Sequence, residues 1–250
     1  MREWAGKRYW LVGASEGLGR ALAERMSRAG VELVLSARNA DRLQDLADSL
    51  PGTAHVVPVD ASDLASVKAA AAAAVAAAGE LDGVVYLAGV YWPFSAREWD
   101  AEKAEAMCDI NFTGAARVVG AVMPGFMQRG RGHIVLTGSL SGFRGLPGSI
   151  GYGSSKAGVM HLAESMQCDL RGSDIQVQVA NPGFIKTRLT EKNQFSMPFL
   201  MQPDDAAREM FEHMGTPYFK RSFPMVFSWL FRLSQFFPDW LYYRIFGGGK

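Results

Sequence analysis

The chain has 250 residues, is 48% hydrophobic and carries 26 Lys and Arg against 25 Asp and Glu. That size and apolar content suffice for a sizeable core, and the even charge balance excludes nucleic acid or another polyanion as a partner held by the overall field. Cys108 and Cys168 have neither Cys-x-x-Cys spacing nor a disulfide framework, so buried free thiols in a reducing compartment are expected. Arg2, Glu3, Lys7 and Arg8 leave no apolar stretch of signal length before Gly13, which predicts a cytoplasmic protein. His55, His133, His161 and His213 lack ligand-like spacing, and no metal is expected.

In chain order, buried strands are predicted at Arg8 to Val12, Val31 to Leu35, His55 to Val59, Gly83 to Leu87, His133 to Thr137 and Ile175 to Ala180. Helices are predicted at Leu18 to Arg28, Ala40 to Ser49, Leu64 to Ala78, Glu98 to Met127 with a break, and Tyr152 to Arg171. The alanine run inside the third is ordinary crossover-helix sequence. Repeated β-α units imply a doubly wound parallel sheet, Rossmann-like, in three α/β/α layers. A catalytic domain is expected over residues 1–216, with an appendage over 217–250. After Asn181-Pro182-Gly183 comes a loop rich in Phe and Met, then a helix opened by Pro203. The appendage reads as an edge strand at Tyr218 to Phe223, amphipathic helical turns between Pro224 and Phe246, and a flexible Gly247-Gly248-Gly249 stop; Arg232, Pro238, Asp239 and Arg244 divide it too often for a membrane span.

The run Gly13-Ala14-Ser15-Glu16-Gly17-Leu18-Gly19 follows the first strand and opens the first helix. A turn without side chains lets a pyrophosphate reach backbone amides at the positive helix end; a plain tight turn is the competing reading. The second strand ends in Ser36-Ala37-Arg38, where an acid would select a free ribose 2′-hydroxyl and an arginine a 2′-phosphate. Arg38 therefore favours NADP(H) over NAD(H), and Arg42 either shares that role or coats the next helix. Asp60, at the end of the third strand, either meets an adenine amino group or caps the following helix.

Tyr152 and Lys156 sit four apart on a predicted helix and share a face, with Ser139 upstream at the end of a strand. Together with Gly13-x-x-x-Gly17-x-Gly19, Ala88-Gly89, Asn111, and Pro182-Gly183 with Thr187, in that order along the chain, they make a specific set. From about Lys7 to about Met214 the chain resembles the single-domain short-chain dehydrogenases/reductases. That resemblance implies a catalytic tetrad of Asn111, Ser139, Tyr152 and Lys156. It also implies a cofactor site of Gly13, Ser15, Glu16, Gly17, Leu18, Gly19, Arg38, Asp60, Ala88, Gly89, Tyr152, Lys156, Pro182, Gly183, Ile185 and Thr187, and assembly as a homodimer or homotetramer.

Carbonyl reduction needs hydride at carbon and a proton at oxygen, and a phenol of pKa ~10 exchanges protons poorly at neutral pH. The Lys156 ammonium is expected to pull the Tyr152 phenol down and to bond the nicotinamide ribose. Ser139 would stabilise the substrate oxygen, Asn111 would hold a water linking Lys156 to solvent, and Thr187 would bond the carboxamide or a phosphate oxygen. Two positions depart from the family pattern: Val12 replaces a threonine, and Tyr86-Leu87 replaces Asn-Asn. They put the bracing of the central strands and glycine turn in doubt. A Gly-x-Ser-x-Gly elbow is absent. The rival reading is a catalytically silent nucleotide-sensing or membrane-docked binding protein on the same fold.

Tyr91, Trp92, Phe94, Phe143, Leu146, Phe184, Phe195, Met197, Phe199 and Met201 are expected to line an apolar pocket for a lipophilic carbonyl or alcohol. In the tail, Ser228, Arg232 and Gln235 share one narrow helical face, leaving a wide apolar remainder. Lys220, Arg221, Arg232, Arg244 and Lys250 against Asp239 give a local charge of 5 − 1 = +4. Three settings fit residues 222–250: an anionic membrane surface touched peripherally, a cover over the pocket, or a subunit interface.

Overall fold

The computed structural model describes residues 2–192 and 196–247. Its strands are β1 (Arg8–Val12), β2 (Glu32–Ser36), β3 (Ala54–Val56), β4 (Gly83–Tyr86), β5 (Arg131–Thr137), β6 (Asp174–Pro182) and β7 (Lys220–Phe223). All neighbours pair in parallel, in the order β3-β2-β1-β4-β5-β6-β7. Parallel pairing requires crossovers, supplied by α1 (Gly17–Arg28), α2 (Ala40–Ser49), α3 (Leu64–Ala78), α4 (Ala101–Met107), α5 (Gly114–Arg129), α6 (Ile150–Asp169) and α7 (Pro203–Met214). The expected doubly wound sheet is borne out. Strand order reverses between β1 and β4, and that reversal opens a crevice at the carboxyl ends of the strands.

Strand side chains alternate between two cores. Trp10, Val84 and Ile134 pack with α3, α5 and α6 on one face; Tyr9, Leu11 and Val85 pack with α1 and α7 on the other. The second face also buries a polar chain in which His133 hydrogen-bonds the Tyr9 hydroxyl and Gln178, both at 2.8 Å. Burial holds the His133 imidazole well below its ordinary pKa, so it stays neutral. Asp63 caps the alanine helix α3 through the Ala65 amide at 2.8 Å, and Val67, Ala70 and Ala74 turn inward.

The expected helix break and edge strand are present, and other expectations are corrected. The break in the long helix is a π-helical turn over Cys108–Thr113, whose wider winding carries Asn111 into the interior with no exposed surface. The third strand ends at Val56; beyond it only the Val57 and Val59 amides stay tied to the second strand's side, on the Leu35 and Ala37 carbonyls at 3.0 and 3.1 Å. Neither cysteine is core filler: Cys108 is half-buried and Cys168 exposed. β7 extends the sheet beside β6 and buries Phe223.

The appendage forms α8 (Met225–Ser234) and α9 (Asp239–Phe246). The expected narrow polar face is split: Ser228 turns inward with Ser234 and Phe227, while Arg232 and Gln235 stay exposed beside Trp229, Leu230 and Leu233. The serine hydroxyls satisfy themselves on the Met225 and Phe231 carbonyls at 2.7 and 2.8 Å, so they enter the interior at little cost. The local charge also shrinks. Lys220 pairs with Glu164 and Arg221 with Glu209 and Glu212, while Asp239, the one acid in that count, is taken up by Arg144. Lys250, Gly248, Gly249 and Phe195 lie outside the described residues. Among the described residues no helix is long and apolar enough to cross a membrane.

Candidate active site

The crevice is a cleft of about 660 Å³ lined by Gly13, Ser15, Glu16, Gly17, Leu18, Gly19, Arg38, Asp60, Ala88, Gly89, Tyr152, Lys156, Pro182, Gly183, Ile185 and Thr187. The fold thus gathers all the cofactor candidates around one opening. Gly13 needs its lack of a side chain: its φ is +98°, and a Cβ would run into the Ala88 amide. At Gly17 (φ +55°) a Cβ would come within 2.9 Å of Thr187 Cγ2 across the cleft. Helix α1 has no side-chain cap, so its first amides stand ready for an anion at the positive helix end.

The doubts raised by Val12 and Tyr86-Leu87 are answered by other groups. The Val12 carbonyl accepts from the Leu87 and Ala88 amides at 2.7 and 2.9 Å, and the Gly13 amide donates to the Ser36 carbonyl at 2.7 Å, so backbone ties the strands and the turn. The Tyr86 hydroxyl donates to the Ile110 carbonyl at 2.5 Å, pinning the π turn from below.

Helix α6 carries Tyr152 and Lys156 one turn apart, with Lys156 Nζ 5.8 Å from the phenol ring centroid. The lysine is buried and donates to the Thr137 carbonyl at 2.8 Å. Ser139, just past β5, accepts from the Ser141 amide at 3.2 Å and the Ser141 hydroxyl at 3.0 Å, and it hydrogen-bonds the Tyr152 phenol. With its lone pairs occupied by Ser141, its own proton is the one given to the Tyr152 phenol. Asn111 stands behind: Oδ1 accepts from the Val90 amide at 2.7 Å, while Nδ2 donates to the Val90 carbonyl and to Ser155 Oγ, both at 3.0 Å. Its side chain is thereby committed to holding the Ala88-Gly89-Val90 segment against α6.

The electrostatics correct one expectation. Burial raises the Tyr152 phenol to about 12, with the Ser139 hydrogen bond pulling the other way and nearby Tyr91 adding to the rise. Burial lowers Lys156 to about 8, leaving it protonated at neutral pH. Desolvation of both groups thus outweighs the ammonium's pull on the phenol. Asp60 accepts from the Ser62 amide and hydroxyl at 2.9 and 2.6 Å, and these bonds hold its carboxyl below the usual range. It caps a turn, whereas the helix cap is Asp63.

A match to the short chain dehydrogenase family spans residues 7–197, three quarters of the chain and the whole cleft. The chain belongs to that family. It is an oxidoreductase. An uncharacterized oxidoreductase of Myxococcus xanthus is 37% identical over 97% of both chains. A short chain dehydrogenase/reductase of Burkholderia phymatum, solved with NAD, superposes with a TM-score of 0.86 at 26% identity over 94% of each chain. An alcohol dehydrogenase of the archaeon Thermococcus sibiricus, complexed with 5-hydroxy-NADP, gives 0.79 at 25% identity over 86% of this chain and 95% of its own.

The cleft of this short-chain dehydrogenase fits a dinucleotide: its volume is that of a cofactor site, one end offers uncapped helix amides for phosphates, and the other a buried ammonium and a phenol. Sequence reasoning missed Arg188, which lines the cleft and pairs with Glu16 at 2.8 Å, while Arg42 holds the same carboxylate at 2.9 Å. It also missed Arg144, whose guanidinium reaches the Ser234 and Phe237 carbonyls at 2.7 Å each and Asp239 at 2.5 Å. No local motif marks either one, because their partners are remote in sequence. Of the expected pocket aromatics, Tyr91 meets Tyr152 edge-on at 5.1 Å, and Phe227 links Phe184 and Phe199 at centroid distances of 5.9 and 5.3 Å. Phe94 is buried against Trp99 instead.

Proposed function

We propose that this protein is an NADP(H)-dependent oxidoreductase that interconverts a carbonyl and an alcohol, with Tyr152 as general acid in reduction and general base in oxidation. The observation that carries the reading is the Tyr152 phenol, hydrogen-bonded to Ser139 and set one turn before the Lys156 ammonium, opening into the cleft that holds every cofactor candidate. Bound nicotinamide would supply or accept the hydride. In reduction Tyr152 passes its proton to the substrate oxygen as that oxygen gains charge, and Ser139 turns its proton from the phenol to donate a second hydrogen bond to that oxygen. A buried phenol near 12 is a reluctant phenolate, so the ammonium matters most at the moment the proton leaves. Lys156 uses one N–H on Thr137 and has two left for a ribose hydroxyl and for proton return to Tyr152. Asn111 keeps the Val90 wall in register with α6.

Preference for NADP(H) rests on Arg38. It is exposed at the cleft mouth and has no ion-pair partner among the described residues, whereas Arg42 is engaged by Glu16. A ribose 2′-phosphate would give it one. The Tyr91 ring against Tyr152 and the cluster of Phe184, Phe227 and Phe199 support a lipophilic carbonyl or alcohol substrate. The same reading includes a cytoplasmic setting and a homodimer or homotetramer, suggested by the family relationship. NADPH oxidation followed across a panel of carbonyls, with Tyr152→Phe alongside, tests the chemistry: the variant is expected to lose turnover while still binding NADPH. Turnover equal to the parent's refutes the assignment. Arg38→Asp is expected to weaken NADPH far more than NADH.

A further inference from the structure

Helix α8 is built inside out. Met225, Val226, Trp229, Leu230 and Leu233 recur at helical spacing along its solvent side, and Phe236, 85% exposed, continues the stripe past its end. The opposite side, with Phe227 and the two serines, is the one that packs on the body of the protein. On α9, Trp240 and Tyr243 are exposed while Tyr242 is buried. Apolar exposure this contiguous marks a surface that meets something other than water.

The hairpin cannot turn this face inward, because its inner side is fastened. Arg144 hydrogen-bonds the Ser234 and Phe237 carbonyls and stacks 3.9 Å over the Tyr242 ring; the Tyr242 hydroxyl donates to the Gly145 carbonyl at 2.7 Å. The outer face therefore stays outward in the folded protein.

Charge selects the occupant. Arg232 and Arg244 are exposed and have no ion pair among the described residues; the one acid on the two helices, Asp239, is held by Arg144. Arg232 lies 4.6 Å over the Trp229 ring, which puts cation and indole in one layer. A second copy meeting this face about a two-fold axis would bring two unpaired arginines and no free carboxylate from each side. Anionic lipid headgroups supply the missing charge, the acyl boundary takes the leucines and phenylalanine, and Trp and Tyr favour the interface between them. With 10 and 8 residues, neither helix spans a bilayer, so both lie in its surface. We propose that the outer face of α8 and α9 docks this protein on an anionic lipid bilayer.

Co-sedimentation of the full chain with phosphatidylcholine vesicles, with and without phosphatidylglycerol, tests this. The protein is expected to pellet with the anionic vesicles, and added salt to release it. Arg232→Gln with Arg244→Gln is expected to lower the partition coefficient roughly 30-fold, about fivefold for each cation near the surface. Leu230→Ser with Leu233→Ser is expected to abolish pelleting, with far-UV circular dichroism confirming the fold; the arginine pair, exposed on the surface, remains decisive even if the leucine variant unfolds. A parent protein that stays in the supernatant with anionic vesicles overturns the proposal, as does an arginine variant that pellets like the parent. If sedimentation velocity shows the leucine variant falling to a smaller oligomer and the parent ignores vesicles, the face is a contact between copies and the proposal is wrong.

Discussion

Replacing Arg144 by methionine keeps much of its aliphatic length and removes its guanidinium, and with it the clamp between the loop after Ser139 and the C-terminal hairpin. Two charge-assisted bonds, to the Ser234 and Phe237 carbonyls, are worth about 1.5 kcal/mol each, since the arginine side chain is only 18% exposed. The Asp239 partner is 82% exposed, so that pair adds almost nothing, and the stack on Tyr242 adds about 0.5 kcal/mol. The sum is roughly 3.5 kcal/mol, equivalent to an opening constant for α8 and α9 that rises on the order of 300-fold. Hydrogen exchange followed by mass spectrometry over residues 225–246 measures it: protection there is expected to fall by that factor, while β1, β4 and β5 keep theirs. Arg144→Lys is expected to recover little, because an ammonium cannot fork to two carbonyls and stack at once. Protection within about twofold of the parent, the scale of an ordinary surface change, refutes the clamp.

Lys156→Met tests the buried ammonium through pH. The folded lysine sits at about 8 and the unfolded one at its ordinary 10.5, so between those values the unfolded chain binds the extra proton and the parent gains stability as pH rises. Urea unfolding from pH 8 to 10 is expected to show that gain, about 2–3 kcal/mol, in the parent and its absence in the variant; parallel curves would contradict it. Gly13→Ala should cost at least about 2 kcal/mol by thermal unfolding and weaken nucleotide binding, since both the left-handed φ and the Ala88 backbone oppose a Cβ. Tyr86→Phe strips the Ile110 carbonyl of its donor beneath the π turn, and a loss of about 1–2 kcal/mol in urea unfolding is expected.

What was legible in the chain was local or periodic. Strand β1 and helices α2 and α3 have the predicted bounds, because apolar runs, capping residues and alanine content act over a few residues. The glycine turn and the spacing of Tyr152 and Lys156 likewise announce a cleft and a shared helical face before any folding is considered. What the tertiary structure decided was everything set by burial or by remote partners. The Tyr152 phenol rises where sequence logic lowers it, because desolvation depends on what the fold wraps around the ring. Asn111 is drawn inside by a π turn that Tyr86 pins, and Glu16 gains two arginines, one of them from the far side of the cleft. In the tail, composition announced an amphipathic helix, but which side faces water was chosen by Arg144, some ninety residues upstream of the carbonyls it holds. Helical periodicity sorts residues onto faces; only packing against the rest of the chain says which face is inside.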